Sequence, residues 1–460
     1  MSLIKRFLGI IGAVLLSTMA LFGQTAPDKE AFTLQECIEY GFKNSVSAKN
    51  AFIDVEISKA KVKEIRADGL PQINGSAGIT DNFAIQTSFL PAIFFADDPI
   101  NNPPPPDAKP VPVNFGVQYS ANGTVTAQQL LFDGVFFLGL KAAKVYTELA
   151  SQSYHKTKID LSKAIHSAYY GALVSKEQYD LTVQNFNRLD TLLRQTTAQY
   201  ENGFSEKIDV DRIRVTYNNT RAQLSSRERL YNLSLNLLKY QMGYDIAQPI
   251  ELTEKLDDLA ILNAEFDETG FDYTQRIEFT LLETQRTLDE MNMKQFQYMY
   301  YPKLYLNANG GANSGTNKYT DLGIPDNWFG FGSFGVSLTV PIFDGMRKRN
   351  QISQARLEMQ KTENQLMDLE NMINVEVVQT KINYQNSFDN FKLAEENMEL
   401  AQEIFRVTKI KFQEGFGSSL EVVDAETSYK EAETNYFNAM YDALLDKVEY
   451  LASTGRLLEY

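Results

Sequence analysis

The stretch FQEGFGSSLEVVDAETSYK, residues 412–430, interrupts a long polar helical pattern with two glycines and then resumes it with carboxylates and apolar residues in step. The stretch YENGFSEKIDVDRIRVTYN, residues 200–218, does nearly the same thing at an offset of 212 residues. A feature that recurs at a fixed offset indicates a duplicated architecture. The two stretches therefore predict that the chain contains two copies of one plan.

Shorter motifs recur in the same order in both halves of the chain. LLFDG (130–134) corresponds to PIFDG (341–345), and GLPQINGSAG (69–78) corresponds to YYPKLYLNANGG (300–311). Further along, LLKYQMG (237–243) corresponds to LLDKVEYLASTG (444–455). These matches predict a first repeat over 24–243, a linker over 244–271 and a second repeat over 272–460, with helix tips at about 203–208 and 415–419.

The segment before each tip has a heptad pattern typical of a coiled coil. Apolar or aromatic residues recur every seven positions from Ile165 to Tyr200 and again from Val377 to Phe412, beside a second line of mostly small or polar residues. Each segment of about 68 residues would form a helix ~100 Å long. A free coiled-coil rod is the alternative, but a rod carries strong apolar residues on both lines. Shorter helices are predicted over Thr33–Gly69 and Glu206–Gly243.

Four segments alternate apolar or small residues with polar ones, which predicts β-strands. They lie at about 72–87, 112–128, 303–313 and 329–341. A tilted membrane strand needs ~9–11 residues, and each segment is long enough. Four strands cannot close into a barrel alone, and lipid does not tolerate an open sheet edge. Two chains would give eight strands and three would give twelve, and we expect three. The role of the Pro-rich loop at 88–110 stays open.

The first residues have the parts of a secretory signal peptide. Lys5 and Arg6 precede an apolar run from Phe7 to Phe22, which predicts a signal peptide over 1–23. A membrane anchor is the alternative, but a spanning helix needs ~20 apolar residues. The net charge of -15 argues against nucleic acid as a partner, because phosphates attract a basic surface. We therefore expect an exported protein that does not bind nucleic acid.

The sequence carries no pattern of an enzyme, a metal site or a cofactor site. His155 and His166 are the only histidines, and Cys37 is the only cysteine. The motif GFGSFG at 330–335 fits the dinucleotide fingerprint, but it leads into a strand pattern instead of a helix. No nucleotide-binding P-loop motif is present, so energy for transport must come from a partner. We expect no catalytic residue, no metal and no cofactor.

The duplicated halves, the strand pairs and the glycine-broken tips together resemble the TolC family of outer-membrane efflux proteins. LFDG, IFDG and the strand entries at Pro71 and Pro302 carry the resemblance, which covers essentially the whole mature chain. It implies a mixed membrane α/β fold, in which four transmembrane strands per chain form a shared twelve-stranded barrel joined to a long periplasmic α-helical barrel. It also implies a homotrimer in the outer membrane of a Gram-negative bacterium, with a periplasmic adaptor and an inner-membrane pump of the RND or ABC class as partners.

The resemblance assigns candidate site residues at the second tip. Glu421 and Asp424, six and nine places after Gly415, correspond to acidic residues that form rings at the closed channel entrance. Six carboxylates from three chains would attract cations. The alternative is a solvated acidic helix start that the helix dipole favours.

The resemblance also concerns the gate and the turns. Asp209 corresponds to an aspartate that holds the entrance closed by bonding a tyrosine and an arginine, but those partner positions are Phe412 and Gly417 here. The family's latch therefore cannot form in the same way, and Arg212 or Arg214 is a candidate substitute cation. Glycine supplies the special backbone of the turns at Gly203 and Gly415. The residues that follow them, Phe204 and Phe416, are candidates for adaptor docking or for packing of the turn.

The expected function is that of a passive export duct with a gated periplasmic entrance. The alternative is a structural or adhesive coiled-coil protein that its strands anchor in the envelope. Duplicated strand pairs disfavour this alternative, because an adhesin needs one stalk and one anchor. The sequence does not identify the cargo, the pump or the adaptor.

Overall fold

The computed structural model describes residues 31–100, 102–256 and 271–458. The predicted signal peptide and residues 257–270 of the predicted linker lie outside these ranges. The chain divides into two compact units. We call them the helical unit, which comprises the chain up to Ile53, Gln152–Thr280 and the chain from Met367, and the sheet unit, which comprises Asp54–Ser151 and Leu281–Leu366.

The described ranges contain seven α-helices and eight β-strands. The helices are α1 (Leu34–Asn44), α2 (Val46–Ala67), α3 (Gly134–Glu201), α4 (Lys207–Met242), α5 (Ile277–Tyr298), α6 (Arg347–Gln413) and α7 (Ser419–Ser453). The strands are β1 (Ala31–Phe32), β2 (Gln72–Asp81), β3 (Thr87–Leu90), β4 (Val111–Asn114), β5 (Tyr119–Phe132), β6 (Glu251–Leu252), β7 (Lys303–Thr316) and β8 (Trp328–Thr339).

The repeat is visible in the helices. α3 has 68 residues and α6 has 67, and each is followed by a helix of half that length, α4 with 36 and α7 with 35. At 1.5 Å per residue the long helices extend ~100 Å. Gly243 after α4 and Gly455 after α7 both have positive φ, at 70° and 79°. The prediction of paired long and half-length helices is therefore confirmed.

The helix predicted over Thr33–Gly69 is instead two helices, α1 and α2. The chain leaves the helical conformation at Ser45, where ψ is 144°. The Ser45 hydroxyl accepts a hydrogen bond from the Ala48 backbone N–H at 3.2 Å, so Ser45 caps the start of the second helix. A serine inside a helical segment supplies an alternative hydrogen-bond partner for the backbone, which the spacing of the apolar residues does not reveal.

The sheet unit contains the four-stranded sheet that the alternation predicted. Its order is β2-β5-β7-β8, and each neighbouring pair is antiparallel. One face is apolar: the register places Ile73, Ala127, Ala308 and Phe334 side by side across the four strands. Phe334 is 86% exposed on this face. The sheet therefore presents apolar side chains to its surroundings on one side.

The opposite face of the sheet is mainly polar and hydrogen bonded across the strands, although β8 also places Phe329 and Phe331 on this face. The Gln128 amide donates to Asn307 at 3.0 Å, and the Asn307 amide donates to the Ser337 hydroxyl at 2.8 Å. The Ser333 hydroxyl donates to Asn309 at 2.9 Å. A sheet with one apolar and one polar face suits a boundary between lipid and water.

Two predicted strand ranges are wrong at the loop end of the sheet. The strand predicted over 72–87 ends at Asp81, and the one predicted over 112–128 begins at Tyr119. The intervening β3 and β4 pair with each other in a separate antiparallel hairpin. The pattern missed this break because alternation continues through it, whereas the backbone turns at Gly116, where φ is 150°. Strands β7 and β8 cover 303–316 and 328–339, within three residues of their predicted ends.

The helical unit buries its core around α1, α3, α4 and α7. Ile165, Tyr169, Leu238 and Met242 are fully buried there. Gly41 packs against Ile165 so closely that a β-carbon at this position would overlap the Ile165 side chain. No helix in the described ranges combines the length and the hydrophobicity needed to cross a membrane.

Candidate functional site

The two helix tips are turns of the same geometry. Gly203 and Gly415 have φ of 79° and 80°, a left-handed conformation that glycine adopts without steric cost. The Gly203 N–H donates to the Tyr200 carbonyl at 3.0 Å, and the Phe204 N–H donates to the Gln199 carbonyl at 2.8 Å. These two bonds form a Schellman cap, which satisfies carbonyls at the end of α3.

The second tip repeats this pair of hydrogen bonds at the end of α6. The Gly415 N–H donates to the Phe412 carbonyl at 3.1 Å, and the Phe416 N–H donates to the Lys411 carbonyl at 2.9 Å. Phe204 is 85% exposed and Phe416 is 87% exposed in the single chain. Neither phenyl ring is buried in its own turn, so packing of the turn does not account for an aromatic residue at either position.

Asp209 forms a hydrogen-bonded bridge between the two repeats. The Ser419 hydroxyl donates to Asp209 Oδ1 at 2.6 Å, and Arg212 Nη1 donates to the Ser419 hydroxyl at 3.1 Å. Ser419 is only 2% exposed, whereas Asp209 and Arg212 are partly exposed, so the bridge is partly buried. Asp209 also accepts from the Glu206 backbone N–H at 3.2 Å, which fixes the start of α4. Of the two arginines proposed as substitutes, Arg212 is the one that joins this bridge.

The two positions that differ from the family's latch have other roles. Phe412 packs against an apolar cluster that includes Leu192, Ile213 and Val422. At Gly417 a β-carbon would lie 3.2 Å from the Phe412 backbone nitrogen, so this position is tightly packed. Sequence reasoning missed Ser419, although its place directly after the helix-capping Ser418 made it a plausible polar partner.

Glu421 and Asp424 lie in the first turns of α7 with exposed side chains. The Glu421 backbone N–H donates to the Ser418 hydroxyl at 3.3 Å, which caps the helix. No described residue forms an ion pair with either carboxylate within the chain, whereas Glu426, one turn further on, pairs with Lys430 at 3.0 Å. The two predicted ring residues therefore share one exposed face near the tip.

A layer of charged side chains crosses the helical unit farther from the tip. Glu433 on α7 lies near Arg188 on α3, Arg227 on α4 and Lys430 on α7. Burial raises the pKa of Glu433, and the three cations oppose this shift without cancelling it. A polar cavity of about 250 Å³, lined by Arg227, Lys430 and Glu433 among others, adjoins the carboxylate.

Glu433→Gln should increase thermal stability at neutral pH and have no effect in acid. A raised pKa means that the folded state binds the proton of Glu433 more tightly than the unfolded state does. The contribution of this proton to the free energy of unfolding is therefore fully present below the ordinary pKa of 4.5, and it is lost as the pH rises through the elevated pKa. The glutamine variant cannot ionise and should keep the stability that the native protein loses. Melting curves at several pH values, with the exposed Glu431→Gln as control, test this. An unchanged pH dependence would contradict it.

No cluster of three or more His, Cys, Asp or Glu with metal-binding geometry occurs within residues 31–100, 102–256 and 271–458. His166 lies in the core at 2% exposure, and burial lowers the pKa of its ring. Its Nδ1 lies 2.7 Å from the Ser162 carbonyl, which satisfies it within α3. His166 is therefore a packed core residue.

Comparison with known proteins gives a consistent result. The family model described as "Outer membrane efflux protein" matches residues 43–244 and 280–456. The toluene efflux pump outer membrane protein TtgC of Pseudomonas putida is 24% identical over 350 residues, which cover 74% of this chain and 68% of TtgC. The outer membrane protein TolC of Vibrio cholerae is 22% identical over 339 residues, covering 73% of this chain and 76% of TolC.

The fold matches a solved outer membrane channel. The crystal structure of CmeC from Campylobacter jejuni superimposes with a TM-score of 0.67 at 16% identity, covering 92% of this chain and 86% of CmeC. Because the family model matches both repeats and most of the chain, the protein belongs to the outer membrane efflux protein family.

Proposed function

We propose that three copies of this outer membrane efflux protein form a duct whose periplasmic entrance the two helix tips close. The protein is a channel component and not an enzyme, and its helical part lies in the periplasm. The observation that carries the proposal is the four-stranded sheet, whose outer strands β2 and β8 have no partner strand on their free edges among the residues that the structure describes. Free edges are not tolerated in lipid, so neighbouring chains must pair them.

Three chains account for both faces of the sheet. Twelve strands leave a lumen, whereas eight strands would fill the interior with side chains. The amide and hydroxyl face, with Gln128, Asn307 and Ser337, would line the lumen, and the apolar face with Phe334 would contact lipid. The mass of the detergent-solubilised protein, measured by light scattering, tests the assembly. A mass of three chains supports it, and a monomer or dimer overturns it.

We place the entrance at the acidic start of α7. Three copies of Glu421 and Asp424 would surround it with carboxylates and draw cations toward it. The exposed rings of Phe204 and Phe416 would contact a periplasmic adaptor, because exposed aromatic side chains are preferred anchors of protein interfaces. An inner-membrane pump of the RND or ABC class would supply the energy.

The bridge of Asp209, Ser419 and Arg212 would hold the two repeats together when the entrance is closed. Ser419→Ala removes both hydrogen bonds to charged partners, which costs about 1.5 kcal/mol in each chain at this partly exposed bridge and favours its opening roughly tenfold per chain. We expect a larger resting current across planar bilayers. Ser428→Ala, an exposed serine on the same helix, is the control. A resting current equal to that of the wild type would show that the bridge does not hold the gate.

A further inference from the structure

Because the two repeats are related by an offset of 212 residues, each residue of one repeat has an equivalent position in the other. A contact between the two repeats of one chain therefore predicts an equivalent contact in which the two repeats exchange roles. Gly203 corresponds to Gly415, and Gly243 to Gly455, each with positive φ. In a ring of three chains, first and second repeats alternate, so each second repeat also meets the first repeat of the next chain. This step rests on the trimer proposed above. If the six repeats occupy equivalent positions in the ring, each contact between the two repeats of one chain has an equivalent contact between neighbouring chains.

The bridge at the tip has a chemically informative counterpart. Within the chain, the Ser419 hydroxyl lies between Asp209 and Arg212. The same offset that relates the tip glycines gives the counterparts, which are Glu421 for Asp209, Asp424 for Arg212 and Lys207 of the partner subunit for Ser419.

The contact within the chain and the equivalent contact between chains differ in the charges on both sides. An acid and a base around a hydroxyl become two acids around an ammonium, which has three donors and a positive charge. In the single chain Lys207, Glu421 and Asp424 are all exposed. Among the described residues none lies within ion-pair distance of any of these three charged groups, although exposed lysines elsewhere on the helices do form ion pairs, as Lys59 does with Glu56 and Lys61 with Glu64.

A second contact, far from the tip, changes in the same joint manner. Lys163 on α3 forms an ion pair with Glu449 on α7 at 2.7 Å. Their counterparts are Val375 on α6 and Leu237 of the partner subunit, so a charged pair becomes an apolar pair. In the single chain Val375 is 69% exposed and Leu237 is 52% exposed. A contact between these two apolar side chains across the boundary between neighbouring chains would bury both of them and explain their exposure in the single chain.

We propose that Lys207 of the partner subunit inserts between Glu421 and Asp424 and joins neighbouring chains at the duct entrance. The entrance then carries three ammonium groups among six carboxylates, instead of an uncompensated acidic ring. Lys207→Ala should therefore increase cation selectivity, whereas removal of the carboxylates should decrease it. A role of Lys207 outside the entrance would change neither.

Cysteine cross-linking tests the contact directly. Asp209 and Ser419 are short side chains in direct contact, so the backbones at the counterpart positions must also lie close. Lys207→Cys combined with Glu421→Cys should give covalent dimers and trimers with a short thiol-reactive cross-linker. The native Cys37 is fully buried and does not interfere. Lys207→Cys with Ser428→Cys, on an exposed position two turns along α7, is the control and should give at least tenfold less product.

The outcomes separate this inference from the trimer itself. Cross-linked dimers and trimers from the Glu421 pair alone support the contact. A protein with the mass of a trimer whose Glu421 pair links no better than the control overturns the contact and leaves the trimer standing. A wild-type protein without the mass of a trimer overturns both. If the double variant does not assemble, the selectivity of Lys207→Ala decides, and a selectivity equal to or below that of the wild type overturns the contact.

Discussion

Arg276→Ala should lower the thermal midpoint of the helical unit by at least about 5 °C, the largest stability effect that we expect for a single substitution. Arg276 is 8% exposed at the start of α5. Its Nε pairs with Glu278 at 3.0 Å, and its Nη1 pairs with Glu376 on α6 at 3.2 Å. Nη1 also donates to the Ser453 carbonyl at 2.8 Å, in the last turn of α7.

The size of this effect follows from what the substitution leaves behind. Removal of one partner from a fully buried ion pair costs about 3–5 kcal/mol, because the remaining charge loses its compensation. We expect a smaller loss here, because the side chains of Glu278 and Glu376 are 29% and 39% exposed and water compensates them in part. The Ser453 carbonyl, at the negative end of the α7 dipole, also loses its cation. Arg276→Lys should recover only part of the loss, because an ammonium lacks the planar fork that contacts Glu376 through two nitrogens.

An exposed ion pair on α6 is the matched control for Arg276. Arg406 pairs with Glu403 at 2.7 Å, with side chains 60% and 58% exposed. Such exposed pairs add little to stability because water screens both charges, so Arg406→Ala should leave the melting curve almost unchanged. Circular dichroism melts of the detergent-solubilised variants provide the comparison. Equal midpoints for the two alanine variants would contradict a structural role of Arg276 at this junction.

Glu421→Ala combined with Asp424→Ala should reduce cation selectivity about fivefold. At close range in water, each carboxylate contributes roughly 1 kcal/mol to the attraction of a monovalent cation. Salt screens the more distant carboxylates, so the total attraction by all the carboxylates of the entrance stays near this value. A change of about 1 kcal/mol corresponds to about fivefold in the ratio of cation to anion permeability. The reversal potential under a salt gradient measures this ratio.

A more distant exposed acid on α7 is the control for this prediction. Glu431→Ala removes an exposed carboxylate from the same helix farther from the tip, and it should not change the reversal potential. The effect of the double variant should also shrink as salt increases, because screening weakens charge attraction. A selectivity independent of Glu421 and Asp424 at low salt would place the constriction elsewhere in the duct.

Most of the fold could be predicted because its determinants are periodic. The heptads predicted the long helices, and the tip glycines fixed their ends, since a left-handed backbone favours glycine. The break at Ser45 was missed because a single capping hydroxyl competes with the helix without changing the apolar pattern. The β3–β4 hairpin was missed because alternation describes the side-chain face and not the partner strand.

The position of Asp209 relative to the tip glycine made it a candidate contact with the second repeat, and the structure shows a hydrogen bond there. Its role in gating stays a prediction. Ser419 and Arg276 were not found, because each acts through contacts with residues distant in sequence. Ser419 meets Asp209 across 210 positions, and Arg276 meets Ser453 across 177. A pattern of neighbouring residues in the sequence does not predict hydrogen bonds between residues so far apart.

The current through single channels tests the central claim most directly. The purified wild-type protein should have the mass of three chains and should conduct small, cation-selective currents when it inserts into a planar bilayer. These currents are expected from a duct with a constricted, acidic entrance. A monomer that inserts without conducting would contradict the duct and favour a strand-anchored envelope protein with a projecting coiled coil.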